Sequence, residues 1–173
     1  MNIKTIEDKN YSDKKVFLRV DFNVPIENGK ITDDTRIRAA LPTIKYLLSQ
    51  GASLIIASHL GRPKGKVVPE MSLLPVSKHL SELLGKEVKF IPDCVGDEVK
   101  KVVKDLKKGD ILLLENLRFH NEEEEGDEEF AKELASLSDA YVNDAFAACH
   151  RKHASIYQIT NYCKDVAGGF LIK

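Results

Sequence analysis

The sequence predicts an α/β fold built on a mainly parallel sheet. Strand-like and helix-like stretches alternate along the chain, which is the pattern of βαβ units. In addition, five short apolar runs each end abruptly in Asp, Asn, His or Arg. If those runs are parallel strands, their polar tips converge on one sheet edge, where ligands bind in open α/β sheets.

The first strand, Val16 to Val20, leads into Asp21-Phe22-Asn23. Residues 26–30 form a turn, and Thr32-Asp33-Asp34 offers helix N-caps. Ile37, Leu41, Ile44 and Leu48 then keep helical spacing up to a stop at Gly51. Pro42 is tolerable only near a helix start, so the regular helix is expected from about Ala39. Arg36 then sits at or just before that helix N-terminus, where anions are already favoured. The second strand, Leu54 to Ala57, leads into Ser58-His59-Leu60-Gly61-Arg62. A helix from about Ser72 to Leu84 closes at Gly85. Strand Val88 to Ile91, helix Asp97 to Leu106, and strand Ile111 to Leu114 into Glu115-Asn116-Leu117-Arg118 follow. Phe130, Leu134 and Leu137 mark another helix, and residues 140–142 lead into Asn143-Asp144. A shorter helix is expected from Ala154 to Ile159. The last apolar run, residues 168–172, has no terminator and reads as cut.

At 173 residues the chain is one domain by size. Its apolar fraction of 43% and charged fraction of 31% are those of an ordinary globular protein. A net charge of −1 gives no global basic field for nucleic acid. The three cysteines have neither metal nor redox spacing. No signal-like or membrane-spanning apolar run is present, so no membrane partner is expected and the location expected is cytoplasmic.

Gly61 to Lys66 fails as a P-loop, because three residues separate its glycines and Val67 follows the lysine. His150 and His153 read better as orienting or surface residues than as a metal pair, and no metal site is expected. The acidic run from Glu122 to Glu129 reads as a solvated helix start that complements the dipole. Asp21 and Asn23 alternate on a strand end and share one direction. A carboxylate there could serve as acid–base catalyst, metal ligand or hydroxyl acceptor. With Arg36, His59, Arg62, Arg118 and Arg151 on the same rim, accepting a hydroxyl of a small anionic substrate fits best. Guanidinium forks grip carboxylate and phosphate bidentately. Arg38, by contrast, is expected in a surface salt bridge.

These motifs resemble the phosphoglycerate kinase family, in its N-terminal domain. The resemblance rests on Arg19-Val20-Asp21-Phe22-Asn23-Val24-Pro25, residues 34–42, Ser58 to Pro63, Glu115 to Phe119 and Val142 to Phe146. It implies a Rossmann-like three-layer α/β sandwich spanning residues 1–173, the substrate-binding domain of a two-domain kinase under half of which is present. The implied reaction is reversible phosphoryl transfer between 1,3-bisphosphoglycerate and ADP, giving 3-phosphoglycerate and ATP. Asp21 and Asn23 would meet the glycerate hydroxyl and carboxylate region. His59, Arg62, Arg118 and Arg151 would hold the distal phosphate. Arg36 would reach the acyl-phosphate and act as the catalytic group. Mg-ADP or Mg-ATP would bind a C-terminal domain not included here, with no cofactor on this fragment. The fragment alone would be inactive and the full-length enzyme a monomer, with residues 168–170 approaching the interdomain hinge. The family has Gly-Thr-Ala before its His-Arg, whereas this chain has Ala147-Ala148-Cys149, and the lost glycine is expected to restrict backbone approach to the ligand. Two rivals belong to other classes: a non-catalytic module that binds phosphorylated metabolites, and a self-associating interaction domain.

Overall fold

The computed structural model describes residues 4–172. Six parallel strands form one sheet in the order β5-β6-β4-β1-β7-β8. In chain order the sheet strands are β1 (Lys15–Arg19), β4 (Ser53–Ala57), β5 (Lys89–Ile91), β6 (Ile111–Leu114), β7 (Ala140–Asn143) and β8 (Val166–Gly168). The short antiparallel pair β2 (Ile26–Glu27) and β3 (Lys30–Ile31) flanks the turn expected there.

Alternation along each strand splits the side chains between two cores, as a sheet covered on both faces requires. Val16, Leu18, Leu54, Ile56, Leu113 and Val142 pack with Ile37, Ile44, Leu47, Val76 and Leu80. These last come from α1 (Thr35–Ser49) and α2 (Leu74–Leu84). Phe17, Ile55, Leu112, Leu114 and Tyr141 pack on the opposite face with Val99, Val103, Phe130 and Leu134. That face is covered by α3 (Asp97–Lys104) and α5 (Glu128–Ala135), with α4 (Asn121–Glu125) just before α5. The result is the three-layer α/β sandwich expected.

Four local expectations are corrected. Helix α1 begins at Thr35 rather than near Ala39, with Pro42 inside it. Asp33 accepts the Thr35 amide at 2.9 Å and its hydroxyl at 2.6 Å, organising the entry. Burial of Ile37, Ala40, Thr43, Ile44 and Leu47 offsets the hydrogen bond that Pro42 cannot donate. Helix α2 starts two residues later than expected, after a 3₁₀ turn at Pro69–Met71. No α-helix forms over 154–159, where only a 3₁₀ turn, Gln158–Asn161, is found. The amides of Ala154 and Ser155 are instead held by the carbonyl and carboxylate of Glu123, each at 2.8 Å. The fourth correction is Glu123 itself. In an acidic run read as solvated, it is fully buried.

The final apolar run begins at Gly168, the last residue of β8, and then folds against the β7 tip. The amides of Gly169, Phe170 and Leu171 donate to the Asn143 carbonyl, Thr43 Oγ1 and Asp144 Oδ1 at 2.9, 3.1 and 2.9 Å. Arg38 makes the expected ion pair, its Nε 2.9 Å from Asp34 Oδ2.

Candidate anion-binding site

Register brings the strand tips level. Arg19 lies beside Ala57 on one side and Asn143 on the other, and Ile56 beside Leu113. Residues two to five places beyond these positions therefore meet above the sheet edge. The connection from β1 to β4 runs over one face and that from β6 to β7 over the other, which opens a crevice at the reversal.

A cavity of about 260 Å³ occupies this crevice, lined by Asp21, Asn23, Arg36, His59, Gly61, Arg62, Arg118, Ala147, Ala148 and Arg151. All seven side chains expected at the site are thus brought together. Asp21 is the sole carboxylate among them, beside four arginines. That donor set suits an anion and does not make a resident cation site.

Each group is held from behind. Asp21 Oδ1 accepts the Asn23 amide at 3.0 Å and is 3.4 Å from Arg36 Nη1. Arg36, in the first turn of α1, also donates to the Asn23 carbonyl at 2.9 Å. Asn23 Oδ1 accepts the Gly61 amide at 2.9 Å, tying the β1 tip to the β4 loop. Asn116 joins the β4 and β6 loops. Its Nδ2 donates to the Leu60 and Met71 carbonyls at 2.7 and 3.0 Å, and its Oδ1 accepts the Leu60 and Arg118 amides at 3.2 and 3.0 Å. Arg118 is buried, with Nη1 donating to the Gly61 carbonyl at 3.0 Å and Nε 3.9 Å from Glu124. Burial works against its charge, and Glu124 partly offsets this. Arg62 and Arg151 are exposed at the rim.

His59 is buried, and its pKa is driven down to about 2, chiefly by desolvation, then by Arg19, Arg118, His153 and Arg151. It lines the pocket as a neutral imidazole.

Ala147 stands where the family has its glycine. Ala147 falls in a 3₁₀ turn, Phe146–Ala148, and is not among the residues of positive φ. The Arg151 amide donates to the Ala148 carbonyl at 3.0 Å, so the turn itself carries Arg151 to the rim.

Three supporting residues escaped the sequence reading. Arg19 points down from β1 and is fully buried, with Nε donating to Ser155 Oγ at 2.8 Å and Nη2 3.0 Å from His59 Nδ1. Glu123 accepts the Ser155 amide at 2.8 Å and its hydroxyl at 2.5 Å, and lies 3.8 Å from Arg19. The available signal was a lone arginine between Leu18 and Val20 in an apolar strand, since a charge is almost never buried there without a partner.

Fold and pocket define an α/β domain with an arginine-lined crevice at the carboxyl edge of a parallel sheet. Residues 6–173 match the family model described as phosphoglycerate kinase. The chain belongs to the phosphoglycerate kinase family. It is 56% identical over 172 residues to the phosphoglycerate kinase of Chloroherpeton thalassium, covering 99% of this chain and 43% of that relative. The corresponding protein of Aquifex aeolicus is 57% identical over 171 residues, covering 98% and 43%. Among solved structures, phosphoglycerate kinase from Coxiella burnetii superposes with a TM-score of 0.89 at 41% identity, over 99% of this chain and 42% of that one. The Pyrococcus horikoshii enzyme gives 0.88 at 37% identity, over 98% and 43%. The chain therefore spans less than half the length of these relatives. Among the described residues, no helix is long and apolar enough to cross a membrane.

Proposed function

We propose that residues 1–173 form the substrate-binding N-terminal domain of a phosphoglycerate kinase, holding 3-phosphoglycerate or 1,3-bisphosphoglycerate. The observation that carries this reading is the convergence of Arg36, Arg62, Arg118 and Arg151 with neutral His59 around one carboxylate, Asp21. A ligand with a phosphate, a carboxylate and a hydroxyl matches that set. Asp21 accepts the hydroxyl, and Asn23 lies beside the carboxylate end. The buried Arg118, with His59, Arg62 and Arg151, grips the phosphate.

Arg36 stands apart from that cluster, on the Asp21 side and within the first turn of α1. Its place suits the end of the substrate that exchanges a phosphoryl group. Transfers of this kind depend on positioning and charge neutralisation, and a transition-state arginine is worth ~10³–10⁵ in rate. Family membership implies nucleotide substrates. The pocket's single carboxylate and the absence of a P-loop signature support a site for Mg-ADP and Mg-ATP on residues outside this chain. The whole enzyme would then work as a monomer by closing a second domain onto this one.

Calorimetric titration of the chain with 3-phosphoglycerate tests the reading, with Arg118→Ala beside it. Saturable binding is expected, weakened about thirtyfold by loss of a charge-assisted contact of about 2 kcal/mol. Absence of saturation would count against a preformed site. The chain alone should make no ATP from 1,3-bisphosphoglycerate and Mg-ADP. ATP formation would overturn the assignment of the nucleotide site to residues elsewhere.

A further inference from the structure

The pocket is backed by a buried polar chain that runs from Glu123 through Ser155 and Arg19 to His59. Arg19 has no exposed surface, and each part of its guanidinium is engaged. Nε donates to Ser155 Oγ at 2.8 Å, Nη1 to the Val20 carbonyl, and Nη2 faces His59 Nδ1 at 3.0 Å. Glu123 holds Ser155 by both its amide and its hydroxyl, and balances the guanidinium charge from 3.8 Å.

A guanidinium carries five N–H donors and no acceptor. His59 Nδ1 must therefore be the acceptor in the contact with Arg19. In a neutral ring whose Nδ1 accepts, the single proton sits on Nε2. Nε2 has no hydrogen-bond partner among the described residues, and His59 lines the cavity with Arg118 and Arg151. We propose that Arg19 is a positioning residue that locks His59 as a neutral Nε2–H donor to the bound anion. The opposite tautomer would turn a lone pair toward the ligand and repel its oxygens. A protonated ring would add a fifth cation to a pocket that already crowds four arginines. The lock supplies one directed donor without that repulsion. Ser155 and Glu123 act on Arg19, fixing its plane so that Nη2 meets Nδ1. Arg118 and Arg151, which line the same cavity, and His153 also oppose its protonation.

The donor role rests on the anion reading, whereas the tautomer can be read without any ligand. Ring-¹⁵N NMR of the ligand-free chain is therefore the test. One His59 state is expected from about pH 5 to pH 8, with Nε2 protonated, Nδ1 bare, and a ¹⁵N–¹⁵N coupling from Nδ1 to Arg19 Nη2 across the hydrogen bond. A proton on Nδ1, or titration of His59 in that window, would overturn the proposal whatever the pocket binds. Arg19→Met with Glu123→Gln removes the lock without stranding a buried carboxylate, and folding is checked from the amide spectrum. In that variant His59 should exchange between tautomers or titrate, and 3-phosphoglycerate should bind about tenfold more weakly. A folded double variant with the wild-type ring pattern would refute the role of Arg19. Restored mobility of the ring with unchanged affinity would refute the donor role of Nε2. Ser155→Ala, which removes the hydroxyl that accepts from Arg19 Nε and donates to Glu123, should weaken the coupling while leaving Arg19 in place. A coupling unchanged in this variant would remove Ser155 from the chain.

Discussion

Replacing Glu123 by alanine should cost far more than the same change at Glu122 or Glu125. The three lie within one acidic run, yet Glu123 alone among them is buried, while Glu122 and Glu125 are exposed. Its carboxylate accepts the Ser155 amide at 2.8 Å and hydroxyl at 2.5 Å and stands 3.8 Å from Arg19, whose side chain is also fully enclosed. Removing it leaves Arg19 as an uncompensated buried charge, and such losses cost about 3–5 kcal/mol. Two lost hydrogen bonds to a charged acceptor give a figure of the same size. About 4 kcal/mol is a large share of the roughly 5–15 kcal/mol that holds a domain folded. For a chain of this length it lowers Tm by about 12 °C. Urea unfolding followed by far-ultraviolet circular dichroism, with a thermal melt, measures both. Glu122→Ala and Glu125→Ala should stay within about 0.5 kcal/mol of the parent. A loss at Glu123 no greater than at those neighbours would refute the buried ion-pair argument. A double-mutant cycle with Arg19→Met should then return a coupling of about 2 kcal/mol.

Other outcomes follow from particular contacts. Burial raises the Asp144 carboxyl to about 6, against the hydrogen bonds from the Leu171 amide and Thr43 that pull it down. Because its folded pKa exceeds the unfolded one, the folded state binds the extra proton between about pH 4 and 6, and stability falls as pH rises through that window. Asp144→Asn should therefore stabilise the chain more at pH 7 than at pH 4.5, read as the difference in urea midpoints; equal effects at both would contradict the burial argument. Gly85 ends α2 at φ 61° with open space where a Cβ would stand. Gly85→Ala should cost only the left-handed backbone term, about 1 kcal/mol. At Gly169 a Cβ would lie 2.3 Å from Asp144 Oδ1 and 2.7 Å from its Cγ. Gly169→Ala should cost about 2 kcal/mol or more through overpacking. Matched urea titrations would show the two glycines ranked in that order, and the reverse ranking would contradict the packing at the β7 tip.

Residue order alone determined the layered α/β class and the sheet edge at which the polar rim would gather. Apolar runs of four or five residues announce strands, and polar residues directly after them must lie at strand tips, whatever the strand order. Asp21, Asn23, His59, Arg62, Arg118 and Arg151 could be chosen on that basis because each lies within or near such a tip, and Arg36 because it opens the helix that faces them. What faces them from below could not. Arg19 and Ser155 are 136 positions apart, and their hydrogen bond exists only because β7, which leads into the segment carrying Ser155, pairs with β1 in the sheet. The same long-range demand drew Glu123 out of an acidic run into the core, and it turned the amides of Ala154 and Ser155 away from a helix. Likewise, Pro42 marks a helix boundary by local preference, but burial of one face of α1 overrode it. Local periodicity reports which face of an element is apolar, because neighbours in sequence share that face. The partner of a buried charge is decided by strand order and register, which only the folded chain brings about.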